Sequence, residues 1–404
     1  MQGLKRFLLE DKNTHLEHLE DEIINNGTQG AKTSIEFLKS IKKMLQGGKG
    51  GSNVSVKWDG APAIFAGINP ENDRFFVGTK SIFNATPKIN YTVSDISRNH
   101  GGALADKLAV ALKYLPSLGI KGVLQGDLLF TDDKKNAVVN GEKSIIFTPN
   151  TITYAVPTTS VDMYNRIRAA KIGIIFHTSY RGKTMRGLKA SFGASVGGLR
   201  QSRSVFFDDA RYRQSEDPGL SKGEEKRFDA IIRMAEGSAY KAGAFVDKIK
   251  KDQGPLSLGV QLKTFFNTYI RSGTKIGNAK ALTNNFEVFF IDRLKKEIDG
   301  KKQDKTKQKY KEILEAGMKI LRPNRQGLYF TIATYITLQT AKSMLLSKLN
   351  RIQSIGSFMR TPTGYKATNP EGYVAINKGN AVKLVDRLVF SQANFNVAKD
   401  WVRG

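Results

Sequence analysis

The sequence predicts an α+β fold of antiparallel sheets, split by a large basic all-α insertion. Three observations predict it. From residue 54 to about 192 short runs rich in Val, Ile, Phe and Thr alternate with Gly, Asn, Asp and Pro, and one helix interrupts them. From about 220 to 358 apolar residues recur at three-to-four spacing, as in helices. After 368 the strand pattern returns. Strands joined by short turns with one lateral helix argue against a doubly wound sheet.

The elements follow in order. Residues 14–47 read as two helices. Thr14 and Glu17 form a capping box before Leu16, Leu19 and Ile23, and Gly27 stops the first helix. Thr33 and Glu36 repeat the cap, and Leu38, Ile41 and Leu45 make the second stripe. The loop GGKGGSN (47–53) lacks the G-K-[ST] ending of a phosphate loop and reads as a hinge. The strand runs are VSVKWDGAPAIFAG, RFFVGTKSIF, GVLQGDLLF, KSIIFTPNTITYAV and KIGIIFHTSYRG, with a helix near 101–115. The helical runs are FDAIIRMAEG, LGVQLKTFFNTYIRSG, NNFEVFFIDRLKKEIDG, KYKEILEAGMKIL and LYFTIATYITLQTAKSMLLSKLNRI. Four segments result: 1–53 helical, 54–219 the first part of the strand domain, 220–367 the insertion, and 368–404 the last strands.

Composition narrows the chemistry. There is no cysteine, so disulfides, thiolate zinc sites and cysteine nucleophiles are excluded. With four histidines (His15, His18, His100 and His177), a histidine-rich metal site is not expected; a metal here would be a hard ion held by carboxylates and phosphates. No run approaches the ~18 apolar residues of a membrane span. The N-terminus turns charged too early for a signal peptide, so a cytoplasmic protein is expected. The net charge is +27. Residues 221–360 hold 28 Lys and Arg against 13 Asp and Glu, which is +15 of that total. Such a balance calls for a polyanionic partner, and without a basic amphipathic helix bearing a Trp/Phe/Leu face, nucleic acid is favoured over a membrane.

Lys57 and Asp59 stand in the apolar run VSVKWDGAPAIFAG. A lysine in a buried strand is costly unless paired or functional, and a lowered pKa makes it a nucleophile. Two residues apart on a strand, Lys57 and Asp59 would share a face, and Gly60 would let a phosphate or base approach the backbone. An edge-strand ion pair leading into a turn explains K-x-D-G equally well when it stands alone. However, Asp127 in GVLQGDLLF, Glu371 in PEGYVAI and Lys383 in AVKLVDR add strand-borne charges to the same domain. Two lysines and three carboxylates suit a nucleoside triphosphate with magnesium.

This order of motifs resembles the covalent nucleotidyltransferase superfamily of ATP-dependent RNA and DNA ligases and mRNA capping enzymes. Lys57-Trp58-Asp59-Gly60 resembles motif I, whose lysine carries the nucleotide as a phosphoramide. Lys80 falls at the arginine position that follows it. Leu124-Gln125-Gly126-Asp127 resembles motif III, with Asp127 in the place of a glutamate. GIIFHTSY resembles motif IIIa, with Phe176 at the aromatic that stacks on the base. Glu371-Gly372-Tyr373-Val374 resembles motif IV, whose glutamate binds metal, and Lys383 resembles a lysine of motif V. The resemblance covers about 54–192 and 368–395. The whole chain is also similar to an uncharacterised protein family of T4-like tailed phages, which implies a host cytoplasm.

The resemblance implies a ligase adenylation-domain fold, ATP and Mg²⁺ (or Mn²⁺) as cofactors, and a covalent lysyl-AMP. Lys57 and Asp59 would be catalytic. Lys57, Gly60, Lys80, Asp127, Phe176, Glu371 and Lys383 would hold the nucleotide, and Asp127 and Glu371 the metal. The departures are Pro62 where motif I carries arginine, Ser55 where many ligases carry glutamate, and a single lysine in motif V, for which Lys189 or Lys378 could substitute. The chain ends soon after motif V, leaving no room for an OB domain, which points to the RNA-ligase type. Arg181, Lys183, Arg186, Lys263 and Arg271 are the candidate nucleic-acid contacts. A ligase-fold nucleic-acid-binding protein without turnover is the competing reading, and transfer of AMP to a protein or small molecule is a third. His177, a lone strand histidine, reads as structural. In FFNTYIRSG, at least two of Phe265, Phe266 and Tyr269 read as core. The oligomeric state stays open.

Overall fold

The computed structural model describes residues 17–47, 53–194, 196–210, 219–251, 254–350, 356–361, 364–367, 371–377 and 380–388. The Thr14 cap, most of the 47–53 hinge and Lys378 lie outside these residues.

A 3₁₀ turn, Leu19–Asp21, leads into α1 (Glu22–Leu45). The break expected at Gly27 is present: its φ of 65° and ψ of −142° interrupt α1, a conformation glycine adopts without strain. The helix resumes at once. Thr28 donates its N–H and its hydroxyl to Asp247, at 3.0 and 2.7 Å, so an aspartate from a distant helix caps the second segment. Thr33 and Glu36 therefore sit inside α1 and not at a cap.

Strands β1 (Asn53–Lys57), β2 (Ala63–Ile68) and β3 (Phe75–Gly78) precede helices α2 (Val93–Asn99) and α3 (Gly102–Tyr114). Strands β4 (Val123–Phe130), β5 (Lys135–Val139), β6 (Glu142–Phe147) and β7 (Ile152–Pro157) precede α4 (Val161–Ala169). Then come β8 (Ile172–Arg181), β9 (Lys189–Phe192) and β10 (Val205–Asp209). The insertion comprises α5 (Lys222–Ile249), α6 (Leu258–Arg271), α7 (Ala279–Asp299), α8 (Asp304–Leu321) and α9 (Arg325–Leu349). It is followed by β11 (Gly356–Thr361), β12 (Gly364–Ala367), β13 (Gly372–Asn377) and β14 (Asn380–Leu384).

The α+β class with antiparallel sheets is what the structure has. Among the described residues its strands form three sheets, ordered β1-β13-β14, β10-β8-β4-β2-β3 with β9 against β8, and β12-β11-β7-β6-β5. Among the described strands only β8 and β10 pair in parallel. Runs that read as single strands are divided by turns: VSVKWDGAPAIFAG becomes β1 and β2 on different sheets, and KSIIFTPNTITYAV becomes the hairpin β6–β7.

The insertion ends at Leu349, short of the 367 expected, because β11 pairs with β7 and β12 with β11. It is also not a separate module. The three-stranded sheet turns Val54, Tyr373, Ala375, Val382 and Leu384 to one face, and that face needs an apolar cover. Phe228 and Ile232 of α5, Leu38 and Ile41 of α1, and Leu338 and Leu345 of α9 supply it, in one shared core. Fully burying each such side chain contributes about 2 kcal/mol. The other face of this sheet is left free to line a site.

Candidate functional site

Strand pairing decides which side chains meet on that free face. Ser55, Val374 and Lys383 are directly opposed across β1, β13 and β14, and Lys57 is opposed to Gly372. Residues two apart share a face, so Ser55, Lys57, Val374, Ile376 and Lys383 stand together. Across from them the β2-β4-β8-β9 surface presents Ala63, Phe65, Gln125, Asp127, Thr178, Tyr180, Ala190 and Phe192. Between the two surfaces lies a cavity of about 300 Å³, to which Lys57, Lys80, Phe83, His177 and Ala210 also contribute. Ala210 ties the two walls together: its N–H donates to Phe176 O at 3.0 Å, and its carbonyl accepts from Val56 N at 2.7 Å.

Lys57 ends β1 and forms an ion pair with Glu371, the residue just before β13. Burial raises the Glu371 pKa, against the opposing pull of Lys57, and Asp59 and Asp127 raise it further. Lys383 shares the face of Lys57. Its pKa is lowered, by burial first and by the Lys57 charge second. The side chain of Lys80 follows the Thr79 cap of a 3₁₀ turn, Lys80–Phe83, and reaches the cavity from the opposite wall. Lys57, Lys80 and Asp127 therefore line one cavity, Glu371 is held beside it by Lys57, and Lys383 stands on the sheet face that Lys57 shares.

Three other assignments change. Asp59 does not share a strand face with Lys57, because β1 ends at Lys57. Its carboxylate is buried and turned to the loop before β7, accepting from Asn150 Nδ2 at 2.7 Å, Thr151 N at 2.7 Å and Ile152 N at 2.6 Å. Its own N–H donates to the Tyr154 hydroxyl at 2.8 Å. Asp59 is thus an anchor for the turn that carries Lys57. Gly60 makes room for β4 and not for a ligand: a Cβ there would lie 2.6 Å from Asp127 Cβ and 2.9 Å from Leu128 O.

Phe176 is wholly buried, on the far side of the sheet with Ile64, Leu124 and Ile174. The cause is a β-bulge. Gln125 opposes Thr178, whereas Gly126 opposes Phe176, which leaves His177 as the extra residue of β8. The bulge resets the alternation: Thr178 and Tyr180 face the cavity, Phe176 faces the core, and His177 joins the site. Its Nε2 lies 3.6 Å from Asp127 Oδ1, and its Nδ1 is 2.8 Å from Thr178 Oγ1. The aromatic surface of the cavity is Phe65, Phe83, Tyr180 and Phe192. Gln125 accepts from the Tyr180 hydroxyl at 2.8 Å through Oε1, which leaves its amide nitrogen to donate into the cavity.

Of the nucleic-acid candidates, Arg181, Lys183, Arg186 and Arg271 are exposed. Lys263 is not available. Its ammonium bridges Glu17 Oε2 at 3.2 Å and Asn25 Oδ1 at 2.9 Å, strapping α6 to the N-terminal segment. Phe265 and Phe266 are buried core residues, and the hydroxyl of half-buried Tyr269 accepts from Asn285.

Behind Lys383 lies a cluster of charges that the sequence did not suggest. Lys383 N donates to Glu17 O at 2.9 Å, which lays the N-terminal segment along β14. Buried Lys342 of α9 bonds both oxygens of buried Glu20, at 2.7 and 2.8 Å, and the carbonyl of Val385 at 2.8 Å. Arg387 reaches Asp21 at 3.1 Å, the Tyr335 hydroxyl at 2.8 Å and Asn267 at 2.5 Å. Burial raises the Asp21 pKa to about 6 against the attraction of Arg387. The His18 pKa is held well below the usual imidazole range, by burial first and then by Arg387, Lys342, Lys383 and Lys57.

Residues 13–399 match a single protein-family model. The chain belongs to DUF6267, a family of unknown function. No curated protein and no solved structure matches it.

Asp127 and Glu371 are two carboxylates near one cavity, and among the described residues no group of three or more His, Asp or Glu side chains is placed to hold a metal ion. A divalent ion here would draw its other ligands from phosphate oxygens and water, which suits Mg²⁺ or Mn²⁺ bound together with a nucleotide. Asp127 faces the cavity, while Glu371 is engaged by Lys57. Among the described residues no helix is long and apolar enough to cross a membrane.

Proposed function

We propose that this protein is an ATP-dependent nucleotidyltransferase of the polynucleotide-ligase type, with RNA favoured over DNA as acceptor. The observation that carries the reading is the meeting of four distant segments at one cavity of about 300 Å³, with Lys57, Lys80 and Asp127 on its walls and Glu371 paired to Lys57. Such a volume suits a small ligand, and the aromatic wall of Phe65, Phe83, Tyr180 and Phe192 suits a base. Phe83 and Phe192, both partly exposed, take the stacking role that Phe176 cannot fill.

In this reading the Lys57 amine attacks the α-phosphorus of ATP. A P–N bond forms, the bond to pyrophosphate breaks, and the Lys57 proton passes to Glu371, whose raised pKa fits it to receive one. Lys80 and Lys383 offset charge building on the phosphates. A bound Mg²⁺ or Mn²⁺, held through Asp127, would supply further charge neutralisation. Asp59 keeps the Lys57 turn in place. A 5′-phosphate oxygen then attacks the same phosphorus, freeing Lys57, and a 3′-hydroxyl displaces AMP to join the ends.

A second reading, a nucleic-acid-binding protein on this fold without turnover, is favoured by two observations. Among the described cavity-lining residues only Lys57 and Lys80 are lysine or arginine, which is few for a triphosphate, and Pro62 stands where motif I carries arginine. Incubation with α-³²P-labelled ATP and Mg²⁺ or Mn²⁺, followed by a denaturing gel, separates the two. A labelled band that Lys57→Ala abolishes supports the transferase. Folded protein that takes no label from any of the four nucleotides rules it out.

A further inference from the structure

The outer face of α5 has a charge distribution that the other inserted helices lack. α5 carries five acidic and six basic side chains, and the two signs are segregated. Every carboxylate is engaged: Asp229 by Lys42, Glu236 by Lys39, Glu225 by Gln46, Asp247 by Thr28 and Lys250, and Glu224 by Lys348 and Ser221. Four of the five thereby point toward the N-terminal segment and α1. The six cations, Lys222, Lys226, Arg227, Arg233, Lys241 and Lys248, are all exposed, and none forms an ion pair among the described residues, although Lys241 also lies over the Phe330 ring of α9, 5.0 Å from its centroid. On α8, by contrast, exposed Asp304, Glu312 and Glu315 alternate with the lysines and cancel much of their field.

At 100° per residue, Lys226, Arg233 and Lys248 project opposite the buried stripe of Phe228, Ile232, Ala239 and Val246. Lys226, Arg233, Lys241 and Lys248 recur every seven or eight residues, roughly 11 Å apart along the helix. Tyr240 flanks this row, between Arg233 and Lys248 along the axis and on the side nearer Glu236 and Asp247, and is 87% exposed, the most exposed large apolar side chain among the described residues. A solvated basic face explains lysines and arginines. It does not explain why every acid is engaged, or why an aromatic ring is held in water beside the basic row.

We propose that the outer face of α5 binds a single-stranded polynucleotide, with phosphates on Lys226, Arg233, Lys241 and Lys248 and one base stacked on Tyr240. Backbone contacts of this kind are largely indifferent to sequence, and stacking on an exposed ring requires an unpaired base. The proposal rests on the ligase reading only for what the strand is used for. Binding itself needs neither ATP nor Lys57.

The test is fluorescence anisotropy of a labelled 20-nucleotide oligouridylate with the full chain, without ATP, over a range of salt concentrations. The variants are K226Q/R233Q/K241Q/K248Q, Y240A and, as a control on α8, K305Q/K309Q, each matched to the parent by melting temperature. The four-site variant is expected to bind at least tenfold more weakly, with a salt slope shallower by up to ~3, since each lost phosphate contact removes ~0.7. Y240A is expected to lose about fivefold or more with its salt slope unchanged. Three results would overturn the proposal: parental affinity in the four-site variant, an equal loss in the control, or displacement of the oligonucleotide by polyglutamate as readily as by unlabelled strand. The lysyl-nucleotide assay is independent of all of these, so either reading can fail alone.

Discussion

Replacing Asp59 separates an anchor from a catalytic carboxylate. Its two oxygens accept three hydrogen bonds, two of them from the backbone of Thr151 and Ile152. A hydrogen bond to a charged acceptor contributes about 1.5–3 kcal/mol. In Asp59→Asn the amide keeps one oxygen. Whichever way it turns, its NH₂ group meets donors, either Asn150 Nδ2 or the two backbone N–H groups. At least one bond is lost and one buried donor is set against another. The expected cost is about 3 kcal/mol, and more for Asp59→Ala, which leaves all three donors unpaired. For a chain of 404 residues a loss of about 3 kcal/mol lowers the melting temperature by about 3–4 °C. Differential scanning calorimetry measures it directly. An unchanged melting temperature in Asp59→Asn, together with loss of lysyl-nucleotide formation, would refute the anchor role and return Asp59 to the chemistry.

Three more outcomes follow from the same structure. Phe176→Ala should destabilise by about 3–5 kcal/mol, as for a ring removed from a packed core. Phe192→Ala should change stability little and weaken nucleotide labelling, and the reverse pattern in the two variants would contradict the bulge. The Glu371 pKa is raised on folding, so its contribution to stability is full below the ordinary glutamate value and is lost as pH rises through the raised one. Urea midpoints at pH 4 and pH 8 should therefore show the parent losing stability relative to Glu371→Gln as pH increases, and a difference that stays constant with pH would show that burial of Glu371 was misjudged. Lys342→Met strands a buried Glu20 and should cost about 3–5 kcal/mol, most of which Glu20→Leu/Lys342→Met should recover. A double variant no more stable than the single one, by thermal melting, would show that Lys342 acts through something other than Glu20.

Much of the fold was legible because periodicity is local. The inserted helices repeat apolar residues at three-to-four spacing, and each run became a helix. Helices α2 and α4 were missed because seven and nine residues leave little room for a period. The hairpin β6–β7 and the split between β1 and β2 were missed because a short apolar run does not show where it turns. The end of the insertion was misplaced because β11 is a strand by virtue of its partner, β7.

At the site, the sequence by itself determined that Lys57 stands in an apolar strand run and that Glu371 opens another; that the strand ends at Lys57 it did not show. The first two are statements about residue type and local pattern, and they held. Tertiary structure alone decided where the side chains point. One extra residue in β8 reversed the parity of the strand, burying Phe176 and delivering His177 to the cavity. The loop before β7 claimed Asp59, and the N-terminal segment claimed Lys263. The acids of α5 found partners on α1 and α9, which left its cations without an ion-pair partner among the described residues. The reason is common to all of these. A side chain's partners come from segments far away in the sequence, and a register shift of one residue, or one nearby donor, is enough to redirect it.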